Sequence, residues 1–202
     1  VGLGVLADVG DTAKFDDKQV FAFIRHKQSA KVGGSFISFR GFLLIPGRFD
    51  VARSHLLAFS ACVFKGLIPN LLDAGRRPRY NARDATWWFL QALQDYCKYS
   101  PEGHEILSIS VPLRFPNGEY VDYDDPSIFG RSKTLKEIVQ EILQCHADGI
   151  HFREWNAGPN LDSVMLWEGF QVDITTDWRT GLLQGGNRWN CGTWMDKMGE
   201  SE

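Results

Sequence analysis

The sequence predicts an all-α fold with one small β-hairpin, and three observations carry that expectation. The clearest is the segment 134–149. Leu135, Ile138, Val139, Ile142, Leu143 and His146 fall on one stripe of a 3.6-residue period, Thr134 and Glu137 form a capping-box pair, and Gly149 closes the segment. The second is the segment opened by Asp84, whose Trp87, Trp88, Leu90, Leu93, Tyr96 and Cys97 form a wide apolar set, as in a helix buried on more than one side. The third is how confined the strand signal is. Residues 170–176 alternate, residues 177–181 read as a turn, and 182–184 can pair back as a hairpin.

The remaining elements follow in chain order. Residues 1–31 are the least informative. Residues 1–7 suit a short strand or a buried turn. Lys14, Lys18, Arg25, Lys27 and Lys31 make the arm mildly basic, as solvated surface commonly is. Residues 35–44 are apolar and rich in phenylalanine, and periodicity does not separate strand from buried helix there. Pro46 and Gly47 end that segment. Asp50 is placed to cap a helix whose Leu56, Leu57, Ser60, Val63 and Phe64 share a face and which Gly66 stops. Residues 69–80 read as a loop. The stretch 101–131, with Pro112, Pro116, Gly118, Pro126 and Gly130, reads as a long irregular excursion. Residues 150–159 read as a further loop bearing Glu154. His146, on the apolar stripe, is read as a hydrogen-bonded core histidine rather than a ligand.

Composition narrows the function classes. The chain has 202 residues, 44% of them hydrophobic and 23% charged, which suits one globular domain and argues against disorder. The net charge of −3 gives no electrostatic signal for nucleic acid or an anionic membrane, and no apolar run reaches the length of a membrane span. Cys62, Cys97, Cys145 and Cys191 show neither C-x-x-C nor zinc-finger spacing. They read as thiols in a reducing compartment. No metal constellation, phosphate loop or nucleotide fingerprint is present, so no cofactor is expected.

Two constellations could carry chemistry. The segment 185–200 has no regular period. Its glycines, Asn187, Asn190, Trp189, Trp194 and Asp196 place flat aromatic faces beside hydrogen-bonding groups and one carboxyl. That set suits a sugar, which has apolar CH faces and a rim of hydroxyls. Apolar neighbours, Trp194, Met195 and Met198, would raise the pKa of Asp196 toward that of a general acid, while Lys197 would lower it. The plainer reading is an irregular loop with core tryptophans and a capping aspartate. Arg79-Tyr-Asn-Ala-Arg-Asp84 is the second set. It delivers Asn81, Arg83 and Asp84 at a helix N-terminus, able to hold hydroxyls or simply to cap the helix. Trp87 and Trp88 read as core rather than as a sugar platform.

Four segments together resemble one family. They are Arg40-Gly-Phe-Leu-Leu-Ile-Pro-Gly-Arg48 continuing through Gly66-Leu-Ile-Pro-Asn-Leu-Leu72, Arg79-Tyr-Asn-Ala-Arg-Asp-Ala-Thr-Trp-Trp88 with Gln94-Asp-Tyr-Cys97, Phe152-Arg-Glu-Trp-Asn-Ala-Gly-Pro159, and Asn187-Arg-Trp-Asn-Cys-Gly-Thr-Trp-Met-Asp-Lys-Met-Gly-Glu-Ser201. In this order they resemble the C-terminal amylo-α-1,6-glucosidase domain of the eukaryotic glycogen debranching enzymes. The resemblance covers 36–202 and leaves 1–35 as an unmatched arm. It implies a helix at 35–44 and about half of an (α/α)₆ toroid of the glucoamylase-like type. It implies hydrolysis of the single α-1,6-linked glucose at a glycogen branch point, acting on glycogen or limit dextrin in the cytoplasm, with no nucleic-acid or membrane partner. Asp196 takes the general-acid position, and Arg79, Asn81, Arg83, Asp84, Asn187, Arg188 and Trp194 line the substrate. The base, in this family, is a glutamate beyond the matched region, so the chain is expected to be a piece of a longer polypeptide whose upstream part carries 4-α-glucanotransferase activity. Where the family commonly has Trp-Gly-Arg-Asp, this sequence reads Lys31-Val-Gly-Gly-Ser35. Each hydrogen bond lost there between a charged group and the sugar would cost about 1.5–3 kcal/mol. A non-catalytic glycan-binding piece lacking the base, or a purely structural piece with exposed apolar faces, are the competing expectations.

Overall fold

The computed structural model describes residues 30–31, 36–73, 77–122, 124–155 and 167–189. Among these residues the fold is mixed. Helix makes up 43% and strand 20%, and three small antiparallel sheets stand between the helices. The all-α expectation, with its half-toroid, is thereby corrected. The helices α1 (Phe49–Ser60), α2 (Ala85–Tyr99) and α3 (Leu135–Asp148) lie where the periodicity places them. The surplus is in the connections. β1 (Ala30–Lys31) pairs with β2 (Leu71–Asp73), and β2 with β3 (Arg77–Arg79). β4 (Ser110–Pro112) pairs with β5 (Ser132–Thr134). β6 (Ile150–Arg153), β7 (Gln171–Asp177) and β8 (Leu182–Gly185) form the third sheet. Strands of two to four residues carry no readable period. They form because backbone amides and carbonyls threaded between packed helices must find partners.

The helices show their reasons locally. At α3 the capping box forms in full: Thr134 N donates to Glu137 Oε2 at 2.7 Å and Glu137 N to Thr134 Oγ1 at 3.3 Å. Leu135, Ile138, Ile142 and His146 are its buried face, and Gly149, at φ +93°, ends it. α1 is buried from Ser54 through Ser60, more completely than a one-face pattern implies, and it stops at Ser60. Arg48, not Asp50, stands at its cap position, and Asp50 lies within the first turn, where a carboxylate still favours the positive end of the helix dipole. Gly66, at φ +78°, belongs to a tight turn bridged by Phe64 and Leu67 rather than to the helix end. Residues 40–44 form a π-helical turn.

Two apolar clusters organise the molecule. The larger joins the π-turn, α1, α2 and α3 around residues such as Phe36, Phe59, Phe89 and Ile138. The smaller gathers Phe64, Leu67, Tyr80, Phe115, Ile150, Val172 and Ile174 between the β6–β8 sheet and its neighbours. Along β7, Val172 and Ile174 point into that cluster while Thr175 faces out. Thr176 Oγ1 donates to His146 O at 2.6 Å, fastening the sheet to the end of α3. The stretch read as an irregular excursion is folded onto the core. Residues Gly103–Ser108 form a 3₁₀ helix, Arg114 N donates to Ala61 O at 2.7 Å, and the buried Arg114 side chain donates to Val121 O at 2.9 Å.

Candidate functional site

The segment after β3 is held from both sides. Asn70 N donates to Arg79 O at 2.7 Å. Tyr80 N donates to Glu154 Oε1, and the Tyr80 phenol donates to Cys62 O at 2.6 Å. Arg83 Nη1 donates to Asn81 O at 2.6 Å, and Nη2 to Gln171 O at 2.9 Å. Arg83 is only 4% exposed and Asn81 only 6%. Arg79 and Asp84 keep part of their surface. Asp84 stands at the cap position of α2 with helical backbone and makes no side-chain cap bond. Its Oδ2 instead accepts from Trp88 Nε1 at 3.4 Å.

The second constellation meets the first through the third sheet. A Cβ on Gly185 would lie 3.5 Å from Arg83 Cγ, so β8 runs against the Arg83 stem two residues before Asn187. Asn187 Nδ2 donates to Glu168 O at 3.3 Å, its Oδ1 accepts from Trp189 N at 2.9 Å, and the exposed Arg188 guanidinium lies 4.7 Å from the Trp189 ring centre. Asn187 and Arg188 thus stand at the outlet of a sheet that also seats the loop before α2. Trp194 and Asp196 lie outside the described residues.

Three other carboxylates, Glu154, Asp173 and Asp177, are all engaged. Glu154 is 0% exposed and faces Tyr80. Asp173 pairs with His151 Nδ1 at 3.0 Å across β6 and β7. Asp177 accepts from Arg179 N and Thr180 Oγ1, bonds that hold its pKa below the ordinary carboxylate value. Burial pushes the Tyr80 phenol well above its ordinary pKa, with the neighbouring Cys62 and Glu154 adding to the rise, so it is not an acid–base group at neutral pH. Cys62 is pushed up to about 12 by burial.

Among the described residues no three His, Cys, Asp or Glu side chains converge as a metal site, and no helix is long and apolar enough to cross a membrane. Cys62, Cys97 and Cys145 are free thiols; Cys62 is buried and the other two are half-buried. His146 is buried with Nδ1 donating to Ile142 O at 2.7 Å, and burial lowers its pKa, against the opposing effect of that bond. Trp87 and Trp88, read as core, are each 37% exposed. They line an open groove of about 730 Å³ with Asp84, Gln91 and Leu143. What the sequence reading missed is Glu154. Its burial beside a backbone amide 74 residues away has no signal in a linear motif.

Among the described residues, the polar loop before α2 is seated on the third sheet, whose last strand leads to Asn187 and Arg188. The chain belongs to the amylo-alpha-1,6-glucosidase family, whose model matches residues 26–202. It is 62% identical over 168 residues to the glycogen debranching enzyme of Saccharomyces cerevisiae, a match that takes in 83% of this chain and 11% of that protein. The chain therefore spans a small part of the length of that relative.

Proposed function

We propose that this chain is the part of a glycogen debranching enzyme that binds the α-1,6-linked glucose at a branch point and supplies the general acid for its hydrolysis. The observation that carries this is the convergence of the Arg79–Asp84 loop and the start of the tryptophan-rich segment on Arg83 and Gly185. Asp196 protonates the glycosidic oxygen as the bond to the anomeric carbon breaks. A second carboxylate activates the attacking water from the opposite face, at a separation of roughly 6.5–9.5 Å in an inverting enzyme. Glu154, Asp173 and Asp177 are not offered as that base, since each is committed to a structural contact. Arg79, Asp84, Asn187, Arg188 and Trp194 contribute to the glucose end of the site, and the buried Asn81 and Arg83 seat the loop that carries the first two of them. The substrate is glycogen or limit dextrin in the cytoplasm. The 4-α-glucanotransferase activity belongs to other parts of such an enzyme.

Glucose release from a branch-point limit dextrin tests the proposal. In the intact polypeptide that contains this sequence, Asp196→Asn is expected to reduce release by about 10²–10⁴-fold while dextrin binding persists. Release undiminished in that variant sinks the assignment of the acid.

A further inference from the structure

We infer that Glu154 is a positioning residue for branch-point recognition: its buried carboxylate, by accepting the Tyr80 backbone N–H, sets the loop that presents Arg79 and Asp84 to the terminal glucose. The inference rests on the debranching reading above and assigns to it a residue that the sequence left without a role.

Glu154 sits at the exit of β6 with no exposed surface, so it does not touch a substrate itself. Its Oε1 accepts from Tyr80 N. Its own N–H donates to Phe170 O at 2.8 Å, and the next carbonyl along, Gln171 O, accepts from Arg83 Nη2 at 2.9 Å. The loop is therefore fastened at both ends: at Tyr80, through Glu154, to Phe170, the last residue of the 3₁₀ turn, and at Arg83 to Gln171, the first residue of β7. Arg79 stands one residue before the first fastener and Asp84 one residue after the second, and both keep part of their surface. A glutamate is the acceptor because Tyr80 has left the β2–β3 ladder, whose last pair is Leu71 with Arg79, so no strand carbonyl stands opposite its amide. The acceptor must arrive on a side chain, because an unpaired buried N–H is strongly disfavoured. What the clamp controls is where hydroxyl-binding groups stand, not the proton transfer at Asp196. Its loss should appear in binding rather than in the pH dependence of the rate.

The experiment compares Glu154→Ala and Glu154→Gln in the intact polypeptide that contains this sequence, with branch-point limit dextrin as substrate and amide exchange at Tyr80 as a second readout. The glutamine keeps an acceptor oxygen at the same reach. The expected result is a KM raised about tenfold or more in the alanine variant, with kcat within about threefold and an unchanged pH profile, and a KM within about threefold of the unsubstituted protein for glutamine. Glu154→Asp, which withdraws the acceptor by one methylene, carries the test if the alanine variant does not fold, and it should raise KM as alanine does. Equal KM in all variants overturns the inference. So does an equal loss in alanine and glutamine, because then the charge and not the acceptor matters. If the unsubstituted protein neither binds nor cleaves the dextrin, the debranching reading falls. The clamp is then decided by exchange at Tyr80 alone, slow with glutamate or glutamine and fast with alanine; equal exchange in all of them refutes it.

Discussion

Arg83 Nη2 donates to Gln171 O at 2.9 Å, joining two residues 88 positions apart and fixing the entrance of α2 to the start of β7. The same guanidinium donates to Asn81 O, so one buried side chain satisfies two backbone carbonyls that the folded loop turns away from solvent. Substituting Arg83 by alanine leaves both carbonyls without that donor, at a cost of about 2–4 kcal/mol. Lysine keeps the charge but has no fork to span two acceptors, and should recover less than half of the loss. Urea denaturation of the two variants measures this, and equal stability of alanine and wild type would refute the strut.

Gly66 is expected to refuse any side chain. Its φ of +78° disfavours L residues, and an added Cβ would fall 2.3 Å from Cys145 Cβ. Gly66→Ala should therefore destabilise the protein by about 2 kcal/mol or more. Adding Cys145→Gly removes the overlap but not the backbone strain, so the double variant should recover only the part of the loss attributed to the clash, a non-additivity readable by thermal denaturation.

Tyr80→Phe removes the phenol that donates to Cys62 O at 2.6 Å inside the smaller core and keeps the ring contacts with Phe64 and Trp155. The expected loss is about 1–2 kcal/mol, with the tryptophan bands of the near-ultraviolet spectrum kept while the Tyr80 contribution disappears. A neutral result would mean that the carbonyl finds another donor.

Stability should fall on mild acidification. Burial in α1 lowers the His55 pKa from 6.5 to about 4, so the folded protein keeps it neutral while the unfolded chain takes up a proton. The stabilisation is fully present above pH 6.5 and is lost as pH falls from 6.5 toward 4, with a slope approaching 1.4 kcal/mol per pH unit and a total of about 3 kcal/mol. His146, whose pKa burial also lowers, acts in the same direction. Asp125, Glu137 and Asp177, held low by hydrogen bonds, contribute stability that is lost only at lower pH. Urea midpoints at pH 7 and pH 5 test this, and a His55→Gln variant should flatten the His55 part of the dependence.

The sequence by itself determined the three helices, the hairpin of β7 and β8, and the family. Helical stripes such as Leu135, Ile138, Ile142 and His146 repeat over many residues, and the Thr134–Glu137 cap is written in four consecutive positions, so local chemistry settles them. The loop before α2 stands out in the sequence as a candidate site, because Arg79, Asn81, Arg83 and Asp84 stand together in the chain. Only the tertiary structure decided that the fold is mixed. β4 and β5 are three-residue strands separated by a long excursion, and neither has a pattern until the other lies beside it. Tertiary structure also decided that Arg83 turns inward to Gln171, that α1 is buried on every side from Ser54 to Ser60, and that Glu154 meets Tyr80. Those contacts join segments far apart in the chain, and the demand that buried polar groups be paired acts only once folding has brought them together.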